Sequence, residues 1–248
     1  MTHVTDPSTP GRILITGSRS YDDARRMRDA IDAAEALLVQ DRIHAHGNDA
    51  GAAIDDIVII HGNTRGADRL AETIAGDPAL TPPPWRRRRA EAHPANWRPW
   101  PDRPDAVDRR AGLKRNEAMV AAGADITLAF PTHTREQAAA GDGSRGTYHC
   151  LDVASESPAI GAAFIVWPAD DGGTLLLPAG AGAMDTAGRA HIGIAAAANP
   201  YLKNNPAALN RHLAATVDAW WSLRVEDVCR HLPGDRWLDR PAEREHTT

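Results

Sequence analysis

Short apolar runs alternate with stretches of helical periodicity along the first two thirds of the chain. The apolar runs are typical of strands, and they occupy residues 12–16 (RILIT), 57–60 (IVII) and 126–130. Residues 88–93 are predicted as a further strand between the second and third of these runs. The helical patterns cover residues 22–38, 67–75, 106–122 and 147–154. The run IVII has no polar position, as expected for a strand that is buried on both faces of a parallel sheet. The alternation therefore predicts an α/β fold in which helices flank a parallel sheet.

The segments between these elements carry turn and loop signals. Residues 39–56 are predicted as a loop or an insertion, and residues 132–146 as a polar, glycine-containing loop. The prolines in residues 94–104 predict an irregular segment, because proline removes a backbone donor and restricts its neighbours.

The last third of the chain has a different pattern. Apolar residues 164–167 and 174–177 flank a turn sequence (PADDGG) and predict a hairpin. Residues 207–232 predict one or two amphipathic helices, whose Trp220 and Trp221 are expected to pack the appendage or a subunit interface. We therefore divide the chain into four parts. Residues 1–11 are a flexible N-terminus and residues 12–168 the main α/β domain. Residues 169–240 are a C-terminal hairpin-plus-helix appendage, and residues 241–248 a disordered tail.

Composition and charge narrow the function classes. The chain has 248 residues, 42% of them hydrophobic, and a net charge of −5; a general nucleic-acid binder would normally be basic. No run reaches the roughly 18 apolar residues that a membrane span requires, and residues 1–10 lack the apolar region of a signal peptide. Cys150 and Cys229 are too few for a disulfide framework. We therefore expect a cytoplasmic protein with no cofactor and no membrane partner, and the charge argues against nucleic acid.

Four short segments combine arginine with a glycine turn or a helix. They are ITGSR at residues 15–19, HGNTRGAD at 61–68, RNEAM at 115–119 and GSRGT at 143–147. Three of them lie between a predicted strand and the following helix. Backbone N–H groups and guanidinium groups at such turns bind anions. Together the four segments predict a site for an anionic, phosphorylated ligand.

The second segment is the most specific of the four, because it follows a buried strand and begins a helix, as a phosphate-binding turn does. Its spacing matches neither the Walker A sequence nor the G-x-G-x-x-G dinucleotide fingerprint. Gly62 and Gly66 flank Arg65 and would bring backbone and guanidinium to one anion; the alternative is a tight turn in which Asp68 caps the helix. In the fourth segment, Thr147 is predicted at the N-cap of its helix. The candidate ligand-binding residues are Gly17, Ser18, Arg19, Gly62, Asn63, Arg65, Gly66, Asp68, Arg115, Asn116, Ser144, Arg145, Gly146 and Thr147.

The order GSR, HGxxxGAD, RNxxM, AFP and GxRGT resembles the YspA-type (cpYpsA-related) branch of the SLOG superfamily, which also includes the LOG phosphoribohydrolases and the nucleic-acid protein DprA. The resemblance covers about residues 12–154 and includes HPANW at residues 93–97. It implies a Rossmann-like fold with a nucleotide-derivative pocket at the carboxyl ends of the strands. It also implies that the first turn lies beneath the ligand, that the second holds phosphate or ribose, and that the subunits form a homo-oligomer.

One position departs from the hydrolases that this superfamily contains. Those enzymes have a glutamate three residues after the threonine of their Gly-Thr motif, and Cys150 stands at that position here. A thiol neither stabilises an oxocarbenium-like transition state nor activates water as a carboxylate does. Glu117 would replace it only if its side chain faces the pocket. Whether the protein is an enzyme stays open, and Arg115 and Glu117 are the candidate catalytic residues if it is one.

Three functions fit these residues. We expect first the binding of a nucleotide derivative, such as an ADP-ribose-like or cyclic-nucleotide signal, by a sensor or sequestering protein. The alternatives are a hydrolase that cleaves a nucleotide N-glycosidic bond and a DprA-like protein that binds single-stranded nucleic acid. The negative net charge disfavours the last of these.

Three other signals are weaker. His44 and His46 resemble a metal-binding pair, but no third ligand stands at a suitable spacing, so no metal site is predicted. The four arginines of residues 86–89 are predicted to form a solvated strand edge or an oligomer contact. Trp97 and Trp100 either stack on a base or fix the proline-rich segment to the core.

Overall fold

The computed structural model describes residues 9–46, 56–77, 87–141, 143–168, 174–179 and 223–224. The strands in these residues are β1 (Gly11–Gly17), β2 (Asp56–His61), β3 (Arg87–Ala92), β4 (Ala124–Phe130), β5 (Ile160–Pro168), β6 (Thr174–Pro178) and β7 (Leu223–Arg224). The helices are α1 (Ala24–His46), α2 (Ala67–Gly76), α3 (Ala111–Ala121), α4 (Arg135–Ala140) and α5 (Arg145–Glu156).

The strands form a single sheet in the order β3-β2-β1-β4-β5-β6-β7. Strands β1 to β5 are parallel, whereas β6 pairs antiparallel with β5 and β7 antiparallel with β6. The order reverses between β1 and β4, and such a switch point leaves a crevice at the carboxyl ends of the strands. The predicted Rossmann-like α/β fold is confirmed, and the predicted hairpin extends the same sheet past residue 168.

The core lies on both faces of the sheet. On β1, Ile13 and Ile15 belong to a cluster that includes Met27 of α1, while Leu14 belongs to a cluster that includes Met119 of α3. Successive side chains of a strand point to opposite faces, so a strand covered by helices on both sides must be apolar throughout. The uninterrupted run IVII of β2 meets this requirement.

Two helix boundaries differ from the prediction. Helix α1 continues to His46, where we predict a loop after residue 38. The sequence from residue 39 to residue 46 contains no glycine or proline, and nothing in it ends a helix. Helix α3 begins at Ala111 and not near residue 106, because residues 103–108 form turns in which the N–H of Ala106 donates to the carbonyl of Arg103.

The segment that we predict as a polar loop over residues 132–146 contains helix α4. Thr134 accepts a hydrogen bond from the N–H of Gln137, and the Gln137 side chain accepts one from the N–H of Thr134. This reciprocal capping box stabilises the first turn of a short helix. Gly141, at φ 106°, ends it in the left-handed conformation that favours glycine.

Several predictions fall on residues that the structure does not describe, among them residues 1–8, Arg86, most of the appendage and the tail. The helices predicted over residues 207–232 lie outside the described residues except at Leu223–Arg224. These two residues form β7, so the helix prediction is wrong there. None of the helices that the structure describes is long and apolar enough to span a membrane.

The arginine run on β3 is only partly a solvated edge. Arg87 and Arg89 are exposed as predicted, but the Arg88 side chain is 1% exposed. Its Nη2 lies 2.5 Å from Asp32 Oδ1 and its Nε 2.6 Å from Glu35 Oε1, both on α1. The prediction is therefore wrong for Arg88, which holds the edge strand β3 to α1 through buried ion pairs.

Candidate functional site

A cleft with a volume of about 470 Å³ lies at the carboxyl ends of the central strands, where the strand order reverses. The segments that follow β1, β2, β3 and β4 all contribute to its walls. The predicted residues that line it are Gly17, Ser18, Arg19, Gly62, Arg65, Asp68, Arg115, Asn116, Ser144, Arg145, Gly146 and Thr147. The four arginine-bearing segments of the sequence therefore meet at one place.

Two glycines bring the turn after β1 against the start of α2. A Cβ on Gly17 would lie 2.3 Å from the Cβ of Ala67, which real side chains do not tolerate. Gly66 has a φ of 79°, and a Cβ there would lie 2.3 Å from the carbonyl oxygen of Ser18. That carbonyl also accepts a hydrogen bond from the N–H of Ala67 at 3.2 Å. Gly66 therefore positions the turn without lining the cleft.

A group of hydroxyls joins this turn to the start of α5. The Oγ atoms of Ser18 and Ser144 are 2.5 Å apart, and the N–H of Thr132 donates to both. Ser144, at φ 57°, is the N-cap of α5, but its side chain makes no cap hydrogen bond. The prediction that Thr147 is the N-cap is wrong: the helix begins two residues before it, and Thr147 is buried at 3% exposure with its side chain on the cleft.

Arg115 ties α3 to the turn after β2. Its Nη1 donates to the carbonyl of Gly62, and its Nε donates to Oδ1 of Asn116 at 2.9 Å. The Asn116 amide in turn donates to the carbonyl of Gly146 at 3.0 Å. The Arg115 side chain is only 14% exposed, and this burial lowers the pKa of its guanidinium, opposed by the nearby carboxylate of Asp68. An arginine remains charged under such conditions, so a poorly solvated positive charge lies in the floor of the cleft.

Asp68 is occupied by groups of the protein itself. Its Oδ2 accepts hydrogen bonds from the N–H and the hydroxyl of Thr64, at 3.0 and 2.8 Å, and lies 3.9 Å from Nη1 of Arg115. Asp68 therefore closes the turn through Thr64, but the alternative in which it caps the helix is wrong, because the N-cap is Gly66 and no side chain makes a cap hydrogen bond there. Asn63 adopts a left-handed φ of 56° in the same turn and does not line the cleft.

Four further arginines line the cleft with exposed side chains. Three of them, Arg19, Arg65 and Arg145, are predicted from the sequence, and the fourth is Arg109. Among the described residues, none of the four forms an ion pair. Asp68 is the acidic residue among those that line the cleft in the described chain. The cleft therefore concentrates positive charge in a protein whose net charge is negative.

The structure also separates residues that the sequence leaves ambiguous. Trp97 lines the cleft at 40% exposure, whereas the ring of Trp100 stacks 5.3 Å from the guanidinium of Arg103. Glu117 does not line the cleft; its side chain is 51% exposed and lies 3.8 Å from the ring of His149.

The side chains of His44 and His46, the pair for which we predict no metal site, lie outside the described residues. Within the described part of the chain, no three His, Cys, Asp or Glu side chains gather as a metal ion would require.

Sequence reasoning missed the basic residues Arg109 and His133 of the cleft, and also its hydroxyl-bearing residues Thr16, Ser20 and Thr64. Arg109 lies just before Arg110, the N-cap of α3, and His133 follows β4, with its Nδ1 2.9 Å from Oγ1 of Thr132. The signal that could have found Arg109 and His133 is their position in the chain. Each stands in a segment that follows a strand of the parallel sheet, and such folds bind ligands at the edge where these segments lie.

Cys150 lies beneath the cleft and does not line it. Its side chain is fully buried in the core cluster between α5 and the sheet. Burial raises the pKa of the Cys150 thiol to about 11, although a hydrogen bond with Thr16 and the charge of Arg115 oppose the shift. The thiol is therefore neutral at physiological pH, and it is a poor nucleophile.

We expect Cys150 to resist alkylation in the folded protein. At pH 8 only about one molecule in a thousand would carry the thiolate, and the side chain is enclosed as well. In a Cys229→Ser background, mass spectrometry after iodoacetamide treatment should find the native protein unmodified and the urea-unfolded protein modified once. Rapid stoichiometric labelling of the native protein would contradict the buried position.

No family model matches the chain, and no solved structure matches it. It is similar to the Gene 61 protein of Mycobacterium phage D29, with 33% identity over 152 residues. The alignment covers 59% of this chain and 90% of the phage protein. Because the alignment spans 90% of the phage protein at this identity, the chain belongs to the same family as the Gene 61 protein of Mycobacterium phage D29.

Proposed function

We propose that the cleft binds a phosphorylated nucleotide derivative and that the protein acts as a sensor or sequestering protein for it. The observation that carries this proposal is the set of five arginines on the cleft, Arg19, Arg65, Arg109, Arg115 and Arg145, whereas Asp68 is the one acidic residue among the described residues that line it. Positive charges held close together repel one another and are costly to maintain without a counter-ion. A ligand with two or more negative charges would supply it.

The backbone adds to the attraction for an anion. Helices α2 and α5 both begin at the cleft, and neither N-cap, Gly66 or Ser144, makes a side-chain cap hydrogen bond. The first N–H groups of a helix have no partner within the helix, and the helix dipole places partial positive charge there. Phosphate oxygens are suitable acceptors for these groups.

The size of the cleft favours a small molecule. Clefts for small ligands measure roughly 300–1,000 Å³, and about 470 Å³ suits a ligand of the size of a nucleotide. The negative net charge of the chain argues against an extended nucleic acid, whose binding depends on many cationic contacts. The resemblance to the SLOG superfamily supports the same class of ligand, and it is the basis for expecting a homo-oligomer. The expectation of a cytoplasmic protein rests on the composition of the chain.

Binding is favoured over hydrolysis because the described residues of the cleft offer no free carboxylate. Asp68 is held by Thr64 and Arg115, Glu117 faces away, and the position of the hydrolases' glutamate is taken by the buried Cys150. Cleavage of an N-glycosidic bond requires an acid or base that can reach the substrate.

The proposal is tested by incubating the protein with a nucleotide panel that includes ADP-ribose, cyclic AMP and the nucleoside diphosphates. We expect thermal stabilisation by at least one compound and its unchanged recovery by chromatography. Release of free base or ribose phosphate would identify a hydrolase instead. A retarded single-stranded oligonucleotide in a gel, without stabilisation by any nucleotide, would favour the DprA-like alternative.

Arg65→Ala should weaken binding of the most stabilising nucleotide about tenfold, because one charge-assisted hydrogen bond is lost. Arg65 is exposed and forms no ion pair among the described residues, so the thermal stability of the free protein should stay unchanged. The matched control is Arg69→Ala: Arg69 is also exposed, but it pairs with Glu72 and does not line the cleft. Calorimetric titration that finds equal affinities for the two variants would contradict the assignment of Arg65.

A further inference from the structure

Trp97 is unusual among the large apolar side chains of the described chain. It is 40% exposed, and only Val107 is comparable among the large hydrophobic residues in these ranges. Exposed aromatic rings at a concave surface often mark a binding site. Trp97 also lines the same cleft as the arginines.

The backbone of Trp97 is fixed in place by the segment that leads into α3. Its carbonyl accepts a hydrogen bond from the N–H of Asp108 at 2.9 Å. Asp108 is itself buried, and its carboxylate accepts from Lys114 at 2.7 Å and from the N–H of Arg110 at 2.9 Å. The indole is therefore attached to a backbone segment that is already fixed, so little conformational entropy would be lost when a ligand binds against it.

The ring lies against a position that has no side chain. A Cβ on Gly112 would lie 3.5 Å from Cη2 of Trp97, so the indole packs next to the backbone of the first turn of α3. Leu113 lines the cleft beside it. Trp97 and Leu113 make this part of the wall apolar, and the exposed Arg109, just before α3, also lines the cleft. The other exposed arginines, Arg19, Arg65 and Arg145, come from the turns after β1 and β2 and from the start of α5.

We propose that Trp97 stacks on the planar base of the ligand and thereby selects nucleoside phosphates over sugar phosphates and inorganic phosphates. This inference rests on the proposed function, since it assigns the base to the apolar wall and the phosphates to the arginines. An indole presents a large flat face, and its stacking on a nucleobase strengthens binding without selecting one base. The preference for a base then originates in Trp97, and the affinity for the phosphates originates in the arginines.

The experiment compares three classes of probe by calorimetric titration: the four common nucleoside 5′-diphosphates, ribose 5-phosphate and pyrophosphate. Wild-type protein should bind at least one nucleoside diphosphate about tenfold or more tightly than ribose 5-phosphate. Trp97→Leu should remove this advantage and leave the affinities for ribose 5-phosphate and pyrophosphate unchanged. Trp97→Phe, which keeps an aromatic face, should retain most of it. Thermal unfolding of each variant verifies that it is folded.

The possible failures are distinguishable. If wild-type protein binds pyrophosphate and ribose 5-phosphate as tightly as every nucleoside diphosphate, the cleft binds anions and the role of Trp97 is refuted. The role is also refuted if Trp97→Leu weakens all three classes equally, or if it binds nucleoside diphosphates like the wild type. If wild-type protein binds no probe of any class and no compound of the nucleotide panel stabilises it, the proposed function and this inference are refuted together.

Discussion

Arg115→Ala is expected to reduce the affinity for the best-binding nucleotide roughly a hundredfold, more than any exposed arginine of the cleft would. The side chain is 14% exposed, so solvent screens its charge less than the charge of Arg65 or Arg145. Its removal also leaves the carboxylate of Asp68 on the cleft without its cation, where it would repel a phosphate. Calorimetric titration of wild type and variant measures the loss, and thermal unfolding verifies the fold.

Two further variants test this explanation. Adding Asp68→Asn to Arg115→Ala should recover part of the affinity, because the amide keeps an acceptor for Thr64 and removes the repulsion. Gly62→Ala as a single variant should reproduce the loss of affinity seen for Arg115→Ala, since a Cβ at residue 62 would lie 1.4 Å from Nη1 of Arg115 and displace the guanidinium. That atom belongs to the end of a flexible side chain, so the fold should tolerate the change. If the losses of Gly62→Ala and Arg115→Ala add in the double variant, the two residues act independently and the explanation is wrong.

The sequence predicts the sheet well because its strands are buried on both faces. A run such as residues 57–60, with four apolar positions and no break, fits few other environments. The glycine turns after such strands then place Gly17, Gly62 and Gly66 at one edge of the sheet, since parallel strands end on the same side. The convergence of the arginine-bearing segments follows from topology, and topology is what strand and helix patterns encode.

The helix boundaries were harder to predict from the sequence, because apolar periodicity and helix formation are different properties. The apolar stripe that the sequence predicts for α1 ends at Leu38, but Val39 is buried in the core as well and the helix continues to His46. For α4 a usable local signal did exist: Thr134 and Gln137 have the spacing of a capping box, and Gly141 follows the helix. The amino-acid composition of that segment, rich in polar and small residues, obscured it.

The wall of the cleft that contains Trp97 and Arg109 depends on tertiary contacts that no local pattern encodes. The path of this irregular segment is set by the hydrogen bond from the N–H of Asp108 to the carbonyl of Trp97. Proline content predicts that such a segment is irregular, but it does not predict where the segment turns. The same limit applies to Arg88, whose partner Glu35 is separated from it by 53 positions in the chain.

Arg88→Ala is expected to lower the free energy of unfolding by about 3–5 kcal/mol. Removal of the guanidinium would leave the carboxylates of Asp32 and Glu35, which are 10% and 0% exposed, in the core between α1 and β3. Neither carboxylate could recover the hydration that it has in the unfolded chain, so the free energy of the native state would rise relative to that of the unfolded state. Because a domain of this size is stable by only about 5–15 kcal/mol, the midpoint of urea unfolding should fall markedly.

Arg87→Ala is the matched control for Arg88→Ala, because Arg87 is the adjacent residue of β3 and pairs with Asp56 while its side chain is 81% exposed. Its replacement should cost less than about 1 kcal/mol. A triple variant with Arg88→Met, Asp32→Leu and Glu35→Leu should recover much of the stability lost in Arg88→Ala, because buried ion pairs can be replaced by apolar groups of similar volume. Equal unfolding midpoints for Arg87→Ala and Arg88→Ala would show that the buried pairs do not hold β3 to α1. Arg88 lies near the amino end of β3, whereas the cleft lies beyond the carboxyl ends of the strands. The folded fraction of Arg88→Ala should therefore bind nucleotide with unchanged affinity. This result would distinguish the loss of stability in Arg88→Ala from the loss of binding expected for Arg115→Ala.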